Sequence, residues 1–282
     1  MRGLKIQAGS GSRLYPSGSL TNGSVPIPIQ MAEAWLAISE LDGDPTEVAA
    51  LLQFVEDIIA VDAGLWNKFY AIYPMRGSDL AHSVYNLVDP EDNDGAYRMT
   101  ISGTPTLGAA GITFSDASDV MDTKFLPDST LAAYPFIGFS WYQQAAGYQL
   151  FGQTTAPDGR LTAEMGFAAG TQSYILVGTA SSGGNWFVTD AGGFWLGQRI
   201  SITPPTDEGT SLYQPDGTLV ATKPVVGPAS PTTASGTFRY QGNATASNTF
   251  SLGALHTALT PTEVLGFRNA VQNYMTALGI DV

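Results

Sequence analysis

The sequence predicts a mainly β protein, an antiparallel sandwich or barrel with helical segments at its ends. Three observations predict it. From about residue 64 to 255, short runs rich in Tyr, Phe, Trp, Ile, Val and Thr are cut by Gly, Asn, Asp and Pro at roughly 8–12-residue intervals. Charged residues are only 13% of the 282, about half the usual share, which suits two facing sheets with Thr, Ser, Asn and Gln on their outer faces. Two stretches with helical periodicity, residues 31–62 and 260–279, flank this texture.

The chain is read in three parts. Residues 1–30 form an extended arm rich in Gly and Ser, closed by Val25-Pro-Ile-Pro-Ile29, whose two prolines favour extended backbone. Residues 31–62 are helical. Met31 to Leu41 is one short segment; Asp44 then caps a second helix with Pro45 at its first position. Val48, Leu51, Leu52, Val55, Ile58 and Ile59 give that helix one buried face. Residues 63–282 form the β domain. Its strand signals include Ala96–Ile101, Gly111–Phe114, Phe136–Trp141, Tyr174–Gly178, Asn185–Thr189, Gly193–Ile202, Thr237–Tyr240 and Thr249–Leu252. Asp216-Gly217 between Leu212-Tyr213 and Leu219-Val220 signals a hairpin, because both residue types tolerate positive φ. The domain ends in a helix over 260–279, with Thr260, Pro261 and Glu263 as a capping box and Gly279 as its stop.

Charge divides the chain unevenly. The net charge is -13, from 12 basic and 25 acidic residues. The arm holds Arg2, Lys5 and Arg13 and no acid, hence +3, so the remainder has nine basic against 25 acidic residues, or -16. So few cations do not suit a phosphate backbone, and no nucleic-acid partner is expected. No apolar run reaches the roughly 18 residues of a membrane-crossing helix, and the N-terminus lacks the apolar core of a signal peptide. The absence of Cys rules out disulfides, thiolate nucleophiles and Cys-ligated metals; two His cannot build a three-His zinc site. No cofactor is expected.

Few motifs carry chemistry. Gly-x-Ser-x-Gly, phosphate-binding and dinucleotide-binding patterns do not occur. His82 has Asp79 and Ser83 nearby, and His256 has Thr257; both read as structural histidines. The eight Glu are scattered, without the strand-borne pair that a sandwich glycosidase needs. Asp89, Glu91, Asp92 and Asp94 form the densest acidic group, a solvated turn or, alternatively, a Ca²⁺ loop of hard oxygen ligands. Asp116, Asp119, Asp122 and Asp128 form a looser one. Trp186 and Trp195, beside Asn185 and Arg199, are candidates for stacking on a sugar ring, against the alternative of sandwich core.

An ordered set of segments resembles a LamG/concanavalin-like jelly-roll protein of tailed bacteriophages. It starts with Ala63-Gly-Leu-Trp-Asn-Lys-Phe-Tyr-Ala-Ile-Tyr-Pro74, Tyr85–Pro90 and Asp94–Gly103. Gly111–Phe114, Asp122–Pro127, Thr189–Arg199 and the Leu212–Leu219 hairpin follow. Leu252-Gly and Leu259–Glu263 with its helix complete the set, which covers roughly residues 45–282. The resemblance implies a jelly-roll virion protein, structural or tail-associated, with no catalytic residues to carry over and no enzymatic activity. Residues 1–30 lie outside the shared pattern, as an attachment segment would. Arg2, Lys5, Arg13, Val25, Ile27 and Ile29 are the expected attachment residues. The expected partners are other virion proteins and copies of the same chain; in the alternative reading, a glycan-binding adhesin, the partner is a host surface glycan, and a sandwich-fold glycoside hydrolase is the third reading; insertion into a membrane is not expected.

Overall fold

The structure is a computed structural model. It describes residues 25–116, 118–125, 137–143, 149–151, 160–165, 173–178, 184–186, 192–199, 210–213, 216–223, 239–241 and 247–280. Helices α1 (Ile27–Ile38) and α2 (Pro45–Val61) come first. Strands β1 (Phe69–Tyr73), β2 (Thr100–Ser102), β3 (Thr106–Gly108), β4 (Gly111–Phe114) and β5 (Val120–Asp122) follow. Then come β6 (Ile137–Gln143), β7 (Gln149–Phe151), β8 (Arg160–Met165), β9 (Ser173–Gly178) and β10 (Gly184–Trp186). The last strands are β11 (Gly193–Arg199), β12 (Thr210–Tyr213), β13 (Leu219–Lys223), β14 (Arg239–Gln241) and β15 (Asn248–Thr257), before helix α3 (Pro261–Ala277).

Among the described residues the strands form two antiparallel sheets. The first runs β13-β12-β11-β6-β15-β4-β3, with β1 also paired to β15. The second runs β10-β9-β8-β7-β14-β5-β2. β15 is the axis of the first sheet: β6 lies along one side of it, while β4 and β1 share the other side end to end. The predicted antiparallel β-sandwich is present, since Met121 and Tyr240 of the second sheet pack with Ile112, Phe114, Trp195, Phe250 and Leu255 of the first.

The inner strands of the first sheet are buried on both faces where their side chains are described. Side chains alternate along a strand, so Trp195 and Leu255 point to the second sheet while Phe194, Leu196, Leu252 and Ala254 point away from it. That other face is covered by a helical layer made of Trp35 and Leu36 from α1, Leu51, Phe54, Val55 and Ile58 from α2, and Val264, Phe267, Val271 and Tyr274 from α3. The expectation of polar residues on the outer faces therefore does not hold for this sheet. The molecule has three layers, helices on sheet on sheet.

Local signals explain most of the elements. The Asp44 carboxylate accepts from the N–H groups of Thr46 (2.8 Å) and Glu47 (3.2 Å), which opens α2 as the sequence predicts. Thr260 and Glu263 form the predicted capping box of α3, and Gly279 (φ 68°) ends it. The hairpin signal is also met, with Tyr213 paired to Leu219 across residues 214–218. Asp216 accepts from Thr218 N at 2.7 Å, and Gly217 takes φ 80°.

Two expectations need correction. The extended arm does not run to residue 30, because α1 begins at Ile27. Pro26 is the cap and Pro28 lies in the first turn, where a missing N–H costs nothing and φ is already helical. Ile27 and Ile29 are thus helical residues. Nor is Ala96–Ile101 a continuous strand. The Asn93 side chain accepts from Ala96 N (3.0 Å) to cap a 3-10 turn, and Tyr97 takes left-handed φ 58°, so pairing starts only at Thr100.

Candidate functional site

The densest polar construction among the described residues is the junction between helices and sandwich, where the loop after β1 passes the start of α2 and the end of α1. Two non-glycine residues in left-handed backbone bracket it, Glu40 (φ 58°) and Met75 (φ 53°). Such strain persists only where surrounding contacts over-determine it. At Glu40 the contacts are visible: Leu41 N bonds back to Leu36 O (2.9 Å) and closes α1 as a Schellman turn.

Its buried half is an ion pair. Glu47, 2% exposed, accepts at Oε1 from Arg76 Nε (2.7 Å) and Nη2, and Arg76 Nη1 donates to the carbonyl of Ala109 ahead of β4. One guanidinium thus ties α2, the loop after β1 and the turn before β4. Glu47 Oε2 and the Tyr274 hydroxyl are buried nearby without partners among the described residues. Burial, with the Glu47 charge adding to it, pushes the Tyr274 phenol well above its ordinary range.

Its exposed half centres on His82. Asp79 Oδ1 lies 2.8 Å and Ser78 Oγ 3.2 Å from His82 Nδ1, and Glu40 Oε1 lies 3.7 Å from Nε2. The Ser78 hydroxyl donates to Glu40 Oε2 at 2.7 Å. The backbone N–H of His82 and then its imidazole hold the Asp79 carboxyl below the usual carboxylate value. This is not a nucleophilic triad. A triad needs the hydroxyl and the orienting carboxylate on opposite ring nitrogens, whereas here both meet Nδ1 and the hydroxyl proton goes to Glu40. The arrangement clasps the end of α1 to the loop after β1.

The other histidine lies inside the protein. His256 is fully buried; its Nδ1 contacts the Thr257 carbonyl at 2.8 Å, Nε2 has no partner among the described residues, and Phe69 packs edge-on to the ring. Burial lowers its pKa to about 4. Glu263 beside it is used structurally, as the α3 cap and as the partner of Lys68 Nζ at 2.7 Å. Burial would raise the Glu263 carboxyl, but Lys68 and Thr260 outweigh it and hold it below the ordinary value.

The sequence candidates fall in different places. Arg2, Lys5 and Arg13 lie outside the described residues. Val25 and Ile27 are 47% and 41% exposed at the start of α1, while Ile29 packs against the helical core. Trp195 is not a sugar platform: it is 1% exposed, in the apolar cluster between the sheets. Its position on the central strand β11 of a sheet covered on both faces is the reason. Asn185 and Trp186 occupy β10, an edge strand of the second sheet, and Arg199 ends β11 in the first; the side chains of these three lie outside what is described. The four are therefore not neighbours on one strand or one sheet.

In the acidic turn, Arg98 takes the carboxylate of Asp92 and lies 3.8 Å from that of Asp94; Glu91 accepts from Asn93 at 2.9 Å, and Asp89 O accepts from Glu91 N at 2.9 Å. A guanidinium thus stands where the Ca²⁺ alternative would put the cation. Asp119, of the looser acidic group, is a buried loop organiser that accepts from the N–H groups of Thr104 (2.7 Å), Ser115 (2.8 Å) and Asp116 (3.1 Å). These donors outweigh burial and lower its pKa. Asp122 faces Arg239 (3.4 Å) and Lys124 (3.9 Å); Asp128 lies outside the described residues. Among the described residues no group of three or more His, Asp or Glu is placed to hold a metal ion.

No protein-family model matches the chain, and no curated protein matches it. Among solved structures the chain is similar to domain 4 of AbnA, an extracellular GH43 arabinanase from Geobacillus stearothermophilus, determined with arabinotriose. The two share 15% identity over 71% of this chain and 98% of that domain, with a TM-score of 0.44. Among the described residues no helix is long and apolar enough to cross a membrane.

The Glu47–Arg76 pair escaped sequence reasoning, because its members are 29 residues apart and meet only after β1 turns back. The His82–Asp79 pair was legible, three residues apart.

Proposed function

We propose that this chain is a non-catalytic structural protein displayed on a tailed-bacteriophage particle, as a tail, fibre or capsid-decorating component with a jelly-roll body. Its N-terminal segment anchors it to other virion proteins. The observation that carries the reading is the ordered set of segments from Ala63 to Gly279 that resembles such proteins. The charge division supports it: a basic segment of +3 precedes a body of -16. The polar groups of the helix–sandwich junction are engaged in holding layers together, which suits an architectural protein.

Extended segments bind by adding to sheet edges or lying on complementary surfaces. Attraction by three cations alone is weakened by salt, so apolar contacts by Val25 and Ile27 add to it. The direct test compares particles produced with the full chain and with residues 25–282. Incorporation of the full chain and loss of the shortened one supports the reading; equal incorporation of both removes the anchoring role, and absence of the full chain from purified particles removes the virion role.

A second reading is attachment to a host surface glycan. It is favoured by the place of Asn185 and Trp186 in β10, the outermost strand of the second sheet among the described residues, both being residue types suited to sugar contact. Binding to a glycan array that Trp186→Ala abolishes supports it, and an array without signal contradicts it.

A further inference from the structure

We propose that the acceptor of the N-terminal segment is the outer face of α1–α2 on a second copy of this chain. The inference rests on the reading of that segment as an attachment element and names its partner. Between Arg13 and Lys68 the sequence has no Lys or Arg. Over the same span Glu33, Glu40, Asp42, Asp44, Glu56 and Asp62 are exposed and Asp57 half-buried.

Four of these are engaged within the copy. Glu40 binds Ser78, Asp44 caps α2, Asp57 accepts from Gln53 and Asn273, and Asp62 accepts from Gly64 N. Glu33, Asp42 and Glu56 have neither hydrogen bond nor ion pair among the described residues. Glu33 lies on the solvent stripe of α1 with Ala37, and Glu56 on that of α2 with Ala49, Gln53 and Ala60; Asp42 sits in the connection.

Three unengaged carboxylates thus face solvent on helices whose own sequence has no Lys or Arg, the nearby Arg76 being taken by Glu47, and the N-terminal segment has three cations and no carboxylate. Twenty-four residues precede Val25, about 80 Å if extended. The helices to be covered are only about 18 and 26 Å long. The root of the segment decides for a second copy. Val25 and Ile27 are exposed apolar residues at the start of α1. A two-fold pair that exchanges segments has room to set the two roots against each other and cover them, since each patch of such an interface meets its own kind.

The test uses full chains and their mass in solution. One variant reverses the face, Glu33→Lys with Asp42→Lys and Glu56→Lys; the other reverses the segment, Arg2→Glu with Lys5→Glu and Arg13→Glu. The parent is expected to associate at 50 mM salt and to weaken about tenfold or more at 500 mM. Each variant alone is expected to be monomeric, and an equimolar mixture of the two to associate again, which also shows that both are folded. A parent that stays monomeric, variants that associate as the parent does, or a mixture without rescue overturns the proposal. If particles incorporate the face-reversed chain normally while still requiring residues 1–24, the virion reading stands and this acceptor is wrong.

Discussion

Buried beside Lys68 and Glu263, His256 stays neutral in the folded protein above about pH 4. Its pKa falls from 6.5 to about 4 through burial. Between these values the unfolded chain binds more protons than the folded one. Stability is therefore fully present above about pH 6.5 and is lost as pH falls toward 4, by roughly 3 kcal/mol in all. In His256→Gln, denaturant unfolding across this range is expected to lose about one proton's worth of slope. Glu47→Ala leaves the part-buried Arg76 guanidinium without its carboxylate and should cost about 2 kcal/mol by denaturant unfolding, while replacing both residues by apolar ones should cost far less. A third site is backbone. A Cβ at Gly253 would stand 2.0 Å from the Tyr240 hydroxyl across the sandwich, so Gly253→Ala should cost about 2 kcal/mol in the same assay. None of these three roles was visible in the sequence, because each is made by chain segments that meet only in the fold. The reading of His256 as structural needed only the scarcity of partners around it.

At the scale of elements, short-range chemistry was legible and its limits are informative. The capping box of α3 and the Asp44 cap of α2 are written within four residues and appear as read. Thr260→Ala should cost about 1 kcal/mol, seen as a lowered unfolding midpoint. The start of α1 was misread because Val-Pro-Ile-Pro suits both an extended chain and a helical first turn; burial of Ala32, Trp35 and Leu36 against the helical core decides between them. Strand length was underestimated at β15, where Leu252-Gly-Ala-Leu-His-Thr257 lacks the usual alternation, because one face meets the helices and the other the second sheet. Gly111 has a role no pattern announced. With φ 126° it brings β4 so close to β15 that a Cβ would lie 2.0 Å from the Phe250 carbonyl oxygen. Gly111→Ala is expected to open the β4–β15 pairing and expose its amides to hydrogen exchange.

For the whole molecule, the sequence reading of an antiparallel sandwich with terminal helices was right at the level of class and missed the layering. Helical periodicity showed that α2 and α3 had an apolar face each, but not that both lie on the outside of the first sheet. That placement turns Trp195 from a surface candidate into core, and it gives α1 and α2 an outward face rich in carboxylates. The acidic side of the charge division seen in the sequence thereby gains a location on these helices. In the function we propose, this three-layer body stands on the outside of a phage particle and is held there through residues 1–24. Electron cryo-microscopy of the intact particle tests it most directly. Symmetry-repeated density for the body is expected on the exterior surface, with the start of α1 directed at a neighbouring subunit. A particle whose exterior is fully accounted for by other chains would contradict it.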